Sequence, residues 1–186
     1  IPKGNPLVKM LDYIENNFKD LNMTFINIGG AIKPEDIDKY KLNEVKEKLG
    51  IEETIVEPGR YLVGNCGYMK TKIIKKKFNN VFIIQNGIYS GLLDALLYNK
   101  KFELFAIIED ELIKLKSEPF QDSKEIIICG ASSDFGDRIG RFYINDKYYD
   151  KIDVNTTIVI DNALAYVEEF FMPLGGDFKI KYNIVS

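Results

Sequence analysis

The sequence contains no histidine, and only two of its 186 residues are cysteines, Cys66 and Cys129. Without histidine the chain cannot by itself build a Ser-His-Asp or Cys-His triad, a histidine-bearing zinc site or an imidazole acid–base pair. Two cysteines make neither a disulfide framework nor a four-cysteine metal site, so no metal is expected. They read as thiols of a cytoplasmic protein. A basic excess is missing too: 25 Lys and Arg stand against 28 Asp and Glu, a net charge of −3, so no nucleic-acid partner is expected. No apolar run approaches the roughly 18–20 residues of a membrane span, so no membrane partner is expected either. Ile1-Pro2-Lys3-Gly4 shows neither an initiating Met nor a signal-peptide pattern, and the chain is read as starting inside a longer product.

What is present is an ordinary globular mixture. Apolar residues make up 46% and charged residues 28%, which excludes a disordered or collagen-like chain. Leu7, Met10, Leu11, Ile14, Phe18 and Leu21 recur at helical spacing, which predicts an amphipathic helix over 7–21 behind Asn5-Pro6. Met23–Ile28 is an apolar, β-branched run ending in Gly29-Gly30, as in a buried parallel strand that enters a tight turn. Residues 34–49 read as an outer helix closed by Gly50, and 53–57 as a second short strand. The first sixty residues are therefore α-β-α-β. From Tyr68 the character changes. Strands are predicted at 69–77, 81–85, 101–108, 112–116, 125–129, 157–160 and 178–182, with a short helix or turn at 91–98, so the second part is β-rich. The expected domains are 1–65 and 66–186. Lys72–Lys77 reads as a solvated strand edge, and Tyr148-Tyr149 and Phe170-Phe171 as packing aromatics.

Three clusters can carry chemistry. Gly29-Gly30 after a strand suits either a phosphate or a plain tight turn. Glu57-Pro58-Gly59-Arg60 puts a carboxylate and a guanidinium at a strand's C-terminal end. There Arg60 and the Gly59 backbone suit an anion, or the tetrapeptide is a surface turn with a salt bridge. Cys129-Gly-Ala-Ser-Ser-Asp134, followed by Asp137, suits a cationic substrate group or an Asx-capped turn.

Taken in order, these motifs resemble the C-terminal part of the fold-type III pyridoxal-phosphate decarboxylases, the family of ornithine, lysine and diaminopimelate decarboxylases. The family's Asp-Ile-Gly-Gly-Gly-Phe turn is similar to Asn27-Ile-Gly-Gly-Ala-Ile32, and its Glu-Pro-Gly-Arg turn is identical to Glu57–Arg60. Its Asp-Gly-Val-Tyr-Gly segment resembles Asn86-Gly-Ile-Tyr-Ser90, and its Cys-Asp motif falls on Ser133-Asp134. Its Glu-Asn-Met-Gly-Ala-Tyr segment resembles Asp161-Asn-Ala-Leu-Ala-Tyr166. The resemblance implies an α/β plus all-β fold, the last strands of a (β/α)8 barrel followed by a β-barrel or sandwich domain.

It also implies a function: the C-terminal portion of a pyridoxal 5'-phosphate-dependent decarboxylase acting on a basic or diamino acid, working as a homodimer. Gly29, Gly30, Ala31, Gly59, Arg60 and Tyr166 would hold the phosphate, and Glu57 would pair with the pyridine nitrogen. Asp134 would meet the distal cation of the amino-acid substrate, Ser133 would occupy the place of the family's proton-handling Cys, and Tyr89 would line the pocket. Four departures stand out. Ser133 is not Cys, Ala31 replaces the third Gly, Asn99 replaces an Asp, and no lysine here aligns with the Schiff-base lysine of the first barrel strand. That lysine is expected in an N-terminal half of the same enzyme. The departures keep two rival readings: racemase-type chemistry on the same cofactor, and a catalytically degenerate homologue that serves as a binding or regulatory subunit.

Overall fold

The computed structural model describes residues 6–30, 37, 39–167, 181 and 183–184. The chain divides into two compact units, Ile1–Leu62 and Val63–Ser186.

In the first unit, helix α1 (Pro6–Asn17) is followed by β1 (Phe25–Asn27), α2 (Lys39–Leu49), β2 (Glu53–Ile55) and a short α3 (Gly59–Val63). The helical spacing of Leu7, Leu11 and their neighbours buries one face of α1 against Ile26, Ile28, Val45, Leu49 and Ile51. The helix stops four residues before the sequence pattern does. The Asn16 and Asn17 side chains donate back to the Asp12 and Tyr13 carbonyls, both at 2.7 Å, and compete with the backbone N–H groups of the last turn for those acceptors. Leu21 is left exposed. Gly50 closes α2 with φ at +69°, the left-handed conformation that glycine adopts without strain. Strands β1 and β2 pair in parallel, Phe25 with Glu53 through Asn27 with Ile55. Helix α3 has no periodic signature. It begins on Gly59 directly after Pro58, whose carbonyl accepts the Leu62 N–H at 3.0 Å, and proline suits a first helical turn.

The second unit is one sheet of β3 (Met69–Lys77), β4 (Val81–Ile84), β5 (Leu104–Ile108), β6 (Glu111–Leu115), β7 (Ser123–Cys129), β8 (Arg138–Asn145) and β9 (Thr157–Ile160). It also carries short helices α4 (Asp94–Leu97) and α5 (Asp146–Tyr149). The strand order is β6-β5-β9-β3-β4-β7-β8. The two ends of that order meet, because Lys116 and Tyr143 exchange both backbone hydrogen bonds, at 3.0 and 2.7 Å. The sheet is thus a nearly closed, mixed barrel, in which β4 and β7 run parallel and the other pairs antiparallel. Alternate residues point inward, and Ile73, Phe82, Ile84, Leu104, Ala106, Ile126, Ile128, Ile144, Ile158 and Ile160 are all fully buried.

Several strand expectations change. Strand β8 is absent from the sequence reading because Gly140, beside a register shift at Ile128/Cys129, interrupts the alternation. The lysine-rich β3 lies inside the sheet order, yet it pairs with β9 only over Met69–Lys72 and with β4 only over Ile73–Lys77. Lys75–Lys77 therefore have a partner strand on one side. Of the strand expected at 178–182 only Lys181 is among the described residues, and the Phe170-Phe171 pair lies outside them.

Candidate functional site

In the first unit the two motif-bearing turns lie side by side at the C-terminal ends of β1 and β2. The parallel ladder carries on past the strands. Ile28 N–H donates to Ile55 O at 3.0 Å, and Glu57 N–H to Gly29 O at 2.9 Å. Asn27 spans the same gap with its side chain. Its Oδ1 accepts the Gly29 N–H at 2.9 Å, and its Nδ2 donates to Glu57 Oε1 at 2.6 Å. Gly29 sits at φ +74° with open space around it, whereas a Cβ on Gly30 would collide with the Glu57 carbonyl. Glycine at 30 is therefore what lets the two turns touch. Gly59 N–H closes back onto Glu57 O at 2.7 Å, and Arg60 follows on the first turn of α3. Glu57, Gly59 and Arg60 are thus brought to the same strand ends as Gly29 and Gly30. Ala31 lies outside the described residues.

In the second unit the 86–90 turn after β4 and the 130–137 loop after β7 meet. The Tyr89 hydroxyl and the Asp134 carboxylate lie near each other, both beside Gly136. Burial pushes the Tyr89 pKa above the ordinary phenol value, and the Asp134 and Asp137 charges push it further. The Asp134 Oδ1 also accepts the Gly136 N–H at 2.6 Å, an Asx turn that leaves Ser133, Asp134 and Phe135 exposed. A Cβ on Gly136 would stand 2.9 Å from Asp134 Oδ1 and 3.5 Å from the Tyr89 hydroxyl, so glycine there gives the pair its space. Tyr166 lies on the loop after β9, at φ +60°. A bulky residue held there costs of order 1–3 kcal/mol, and such strain concentrates at functional positions.

No protein-family model matches the chain. Solved structures do. One is the carboxynorspermidine decarboxylase of Campylobacter jejuni in complex with norspermidine, with a TM-score of 0.62 and 20% identity over 91% of this chain and 49% of that one. Another is the arginine decarboxylase of Paramecium bursaria Chlorella virus, with a TM-score of 0.64 and 12% identity over 91% and 48%. A third is the diaminopimelate decarboxylase of Helicobacter pylori in complex with L-lysine, with a TM-score of 0.60 and 17% identity over 90% and 42%. The fold is that of the C-terminal part of the fold-type III pyridoxal-phosphate decarboxylases. The chain spans a little under half the length of these structures.

On this decarboxylase fold the first unit's donor set fits pyridoxal phosphate. Glu57 is exposed with one oxygen anchored by Asn27, which suits a protonated ring nitrogen. The bare backbone of Gly30 and the Arg60 guanidinium suit an anion. Cys129 does not replace the family's missing thiol. It lies on β7 opposite Arg138, and burial pushes its thiol above the ordinary value, away from the reactive thiolate form. Three contributors went unassigned in the sequence: Asn27 as the anchor of Glu57, and the glycines Gly87 and Gly130, which pack against Asp137. A signal existed for the last, since a carboxylate seven residues after one glycine of a strand-end turn is visible in the chain, but its partner Gly87 is 50 residues from Asp137.

Proposed function

We propose that the chain is the C-terminal portion of a pyridoxal-phosphate-dependent decarboxylase of a basic or diamino acid, with the cofactor-bearing lysine supplied by a segment outside these 186 residues. The observation that carries this reading is the coincidence of the decarboxylase fold with two chemically apt clusters, Asn27–Glu57 at parallel strand ends and Tyr89–Asp134 on the barrel loops.

Pyridoxal phosphate supplies the electron sink that makes loss of a carboxylate feasible. The chain's own residues do the rest. Glu57 keeps a proton on the ring nitrogen through the oxygen that Asn27 does not use. Gly29, Gly30, Ala31, Gly59 and Arg60 hold the phosphate, and Tyr166 is proposed as a further phosphate ligand on its motif match. Asp134, oriented by the Gly136 N–H, takes the distal cation of the substrate, since opposite charges attract. The matched structures carrying norspermidine and L-lysine hold ligands with such a distal amine. Ser133 sits where a proton must be delivered after CO₂ leaves. The exposed Ser133–Phe135 tip completes the site of a second copy, so the enzyme is a homodimer. The setting is the cytoplasm. Among the described residues no helix is long and apolar enough to cross a membrane.

The test takes the protein together with its lysine-bearing part. Borohydride reduction followed by mass spectrometry should place reduced cofactor on a lysine, and ornithine, lysine or diaminopimelate should release CO₂. Cofactor loading with α-proton exchange but no CO₂ points to racemase-type chemistry, which the Ser133 replacement favours. Absence of cofactor on any lysine leaves a binding or regulatory subunit.

A further inference from the structure

The loops that carry Tyr89 and Asp134 are tied together by one buried side chain. Asp137 is 3% exposed. Its Oδ1 accepts the Ile88 N–H at 2.7 Å and its Oδ2 accepts the Ser132 N–H at 3.1 Å. Its backbone closes the same loop, with Gly130 N–H donating to Asp137 O at 2.7 Å and Asp137 N–H to Asp134 O at 3.1 Å. Room for the carboxylate exists because residues 87 and 130 lack side chains: a Cβ on either would run into it.

The chemistry of this clamp calls for a carboxylate. Both partners are N–H groups, so both oxygens must accept. An amide would turn an N–H toward one of them. Burial of a carboxylate is costly unless it is well hydrogen-bonded, and here each oxygen has a backbone donor. The clamp is adjacent to the pair it serves: Ile88 precedes Tyr89, and Asp134 lies three residues before Asp137.

We propose that Asp137 is the positioning residue of this site, locking the 86–90 turn to the 130–137 loop so that the Tyr89 hydroxyl meets the Asp134 carboxylate. The consequence for substrate, an Asp134 oxygen held ready for a cationic group, rests on the function proposed above. The clamp itself does not, and its test uses the cofactor-free 186-residue chain.

The readout is the titration of Tyr89 by ¹⁹F NMR of 3-fluorotyrosine-labelled chain, with the resonance assigned through Tyr89→Phe. Asp134→Asn lowers the Tyr89 pKa in the native background. The same change should leave it unmoved when Asp137→Asn or Gly130→Ala is already present, because the two loops no longer hold the pair together. Gly130→Ala keeps the Asp137 charge and only displaces the carboxylate, so it separates position from simple charge removal. If Asp134→Asn shifts Tyr89 equally in folded chains of all three backgrounds, the clamp does not position the pair and the proposal fails. Should neither variant fold, the unaltered chain decides. In it the Ile88 and Ser132 amide protons, bound by Asp137, should exchange slowly, and the Tyr89 ring should show nuclear Overhauser contacts to Gly136. Fast exchange at both amides with those contacts intact overturns the assignment. Failure here would leave the decarboxylase reading standing, and absence of cofactor chemistry would leave the clamp standing.

Discussion

Asn27 and Glu57, thirty residues apart, are joined by a 2.6 Å hydrogen bond in which the amide donates from Nδ2 to Oε1. The other end of the same amide accepts the Gly29 N–H, so both polar atoms of Asn27 are committed and the orientation of the amide is determined by its partners. An aspartate in this position could accept from Gly29 but could not donate to Glu57. Hydrogen bonds to charged groups are worth about 1.5–3 kcal/mol, and the anchored carboxylate is the one proposed to hold the ring nitrogen. Asn27→Ala in the complete protein should therefore weaken pyridoxal phosphate binding by about tenfold, equivalent to ~1.4 kcal/mol. Asn27→Asp should weaken it more, because two carboxylates would then face each other. Spectrophotometric titration with the cofactor measures both, and unchanged affinity in both variants would remove Glu57 from its proposed role.

The two glycines of the first turn separate strain from space. Gly29 has a positive φ and nothing within 4 Å of a built Cβ, while a Cβ on Gly30 strikes the Glu57 carbonyl. Gly29→Ala should cost only the conformational penalty, about 1 kcal/mol. Gly30→Ala must push two backbone turns apart, and should cost about 1–3 kcal/mol and distort the Asn27–Glu57 contact. Urea unfolding of the first unit, followed by amide exchange of Ile26 and Ile28, should rank Gly30→Ala as the more damaging change. The reverse order would mean that the turns do not meet as described.

The α-β-α-β order, the Gly50 cap and the presence of strands at β5 and β7 were legible because they rest on local rules, a period of 3.6, short apolar runs and a glycine where φ turns positive. Closure of the barrel was not, because it depends on a backbone exchange between Lys116 and Tyr143, which no side-chain pattern encodes. The site divides in the same way. Glu57, Arg60, Tyr89 and Asp134 stand out through ordered motifs and chemistry. Asn27 and Gly87 matter for what they touch across 30 and 50 residues, and that information exists only in the folded chain. Helix α3 escaped because its first residue, Gly59, is among the poorest helix formers.

Helices α1 and α2 are joined by a cluster of ions with a definite pH signature. Lys41 Nζ reaches Asp12 Oδ1 and Glu15 Oε2, each at 2.9 Å, and Lys48 Nζ reaches Glu15 Oε1 at 2.5 Å and Glu44 Oε1 at 2.7 Å. The Lys48 and Lys41 ammonium groups hold Glu15 below the ordinary carboxylate value of 4.5, and Lys48 does the same for Glu44. Asp12 and Glu15 in turn hold Lys41 well above the ordinary lysine value, and Glu15 and Glu44 hold Lys48 above it. A depressed carboxylate stabilises the fold above its unfolded pKa and loses that contribution as the pH falls through the folded value. A raised ammonium contributes below its unfolded pKa and fails as the pH rises through the folded one. Docking of α1 on α2 should therefore be strongest between those limits, weaken below about pH 4.5 and weaken in high salt, where exposed charges are screened. Protection of α1 amides across pH 3–7 checks this. In a Lys41→Met, Lys48→Met double variant the acid limb should shrink, and an identical limb would show that the cluster contributes nothing.

Ser133 is the residue proposed to deliver the proton. It is exposed at the tip of a loop whose neighbours are fixed, Ser132 by the Asp137 carboxylate and Asp134 by the Gly136 N–H. Its side chain can therefore be exchanged without disturbing the bonds described around it. A hydroxyl is a far weaker acid than a thiol of ordinary pKa near 8.5, and general acid catalysis by a well-matched group is worth about 10²–10⁴ in rate. Ser133→Cys in the complete protein should raise the turnover number for CO₂ release by at least about tenfold where proton delivery limits the cycle, with KM little changed because Asp134, the proposed partner of the distal cation, is unaltered. The gain should fall away as the pH rises through the thiol pKa, since only the protonated thiol can donate, and a pH profile of kcat for the two proteins reads that difference. Equal rates and equal profiles would mean that position 133 does not handle the proton. The racemase-type reading would then stand or fall on α-proton exchange measured with the same pair of proteins.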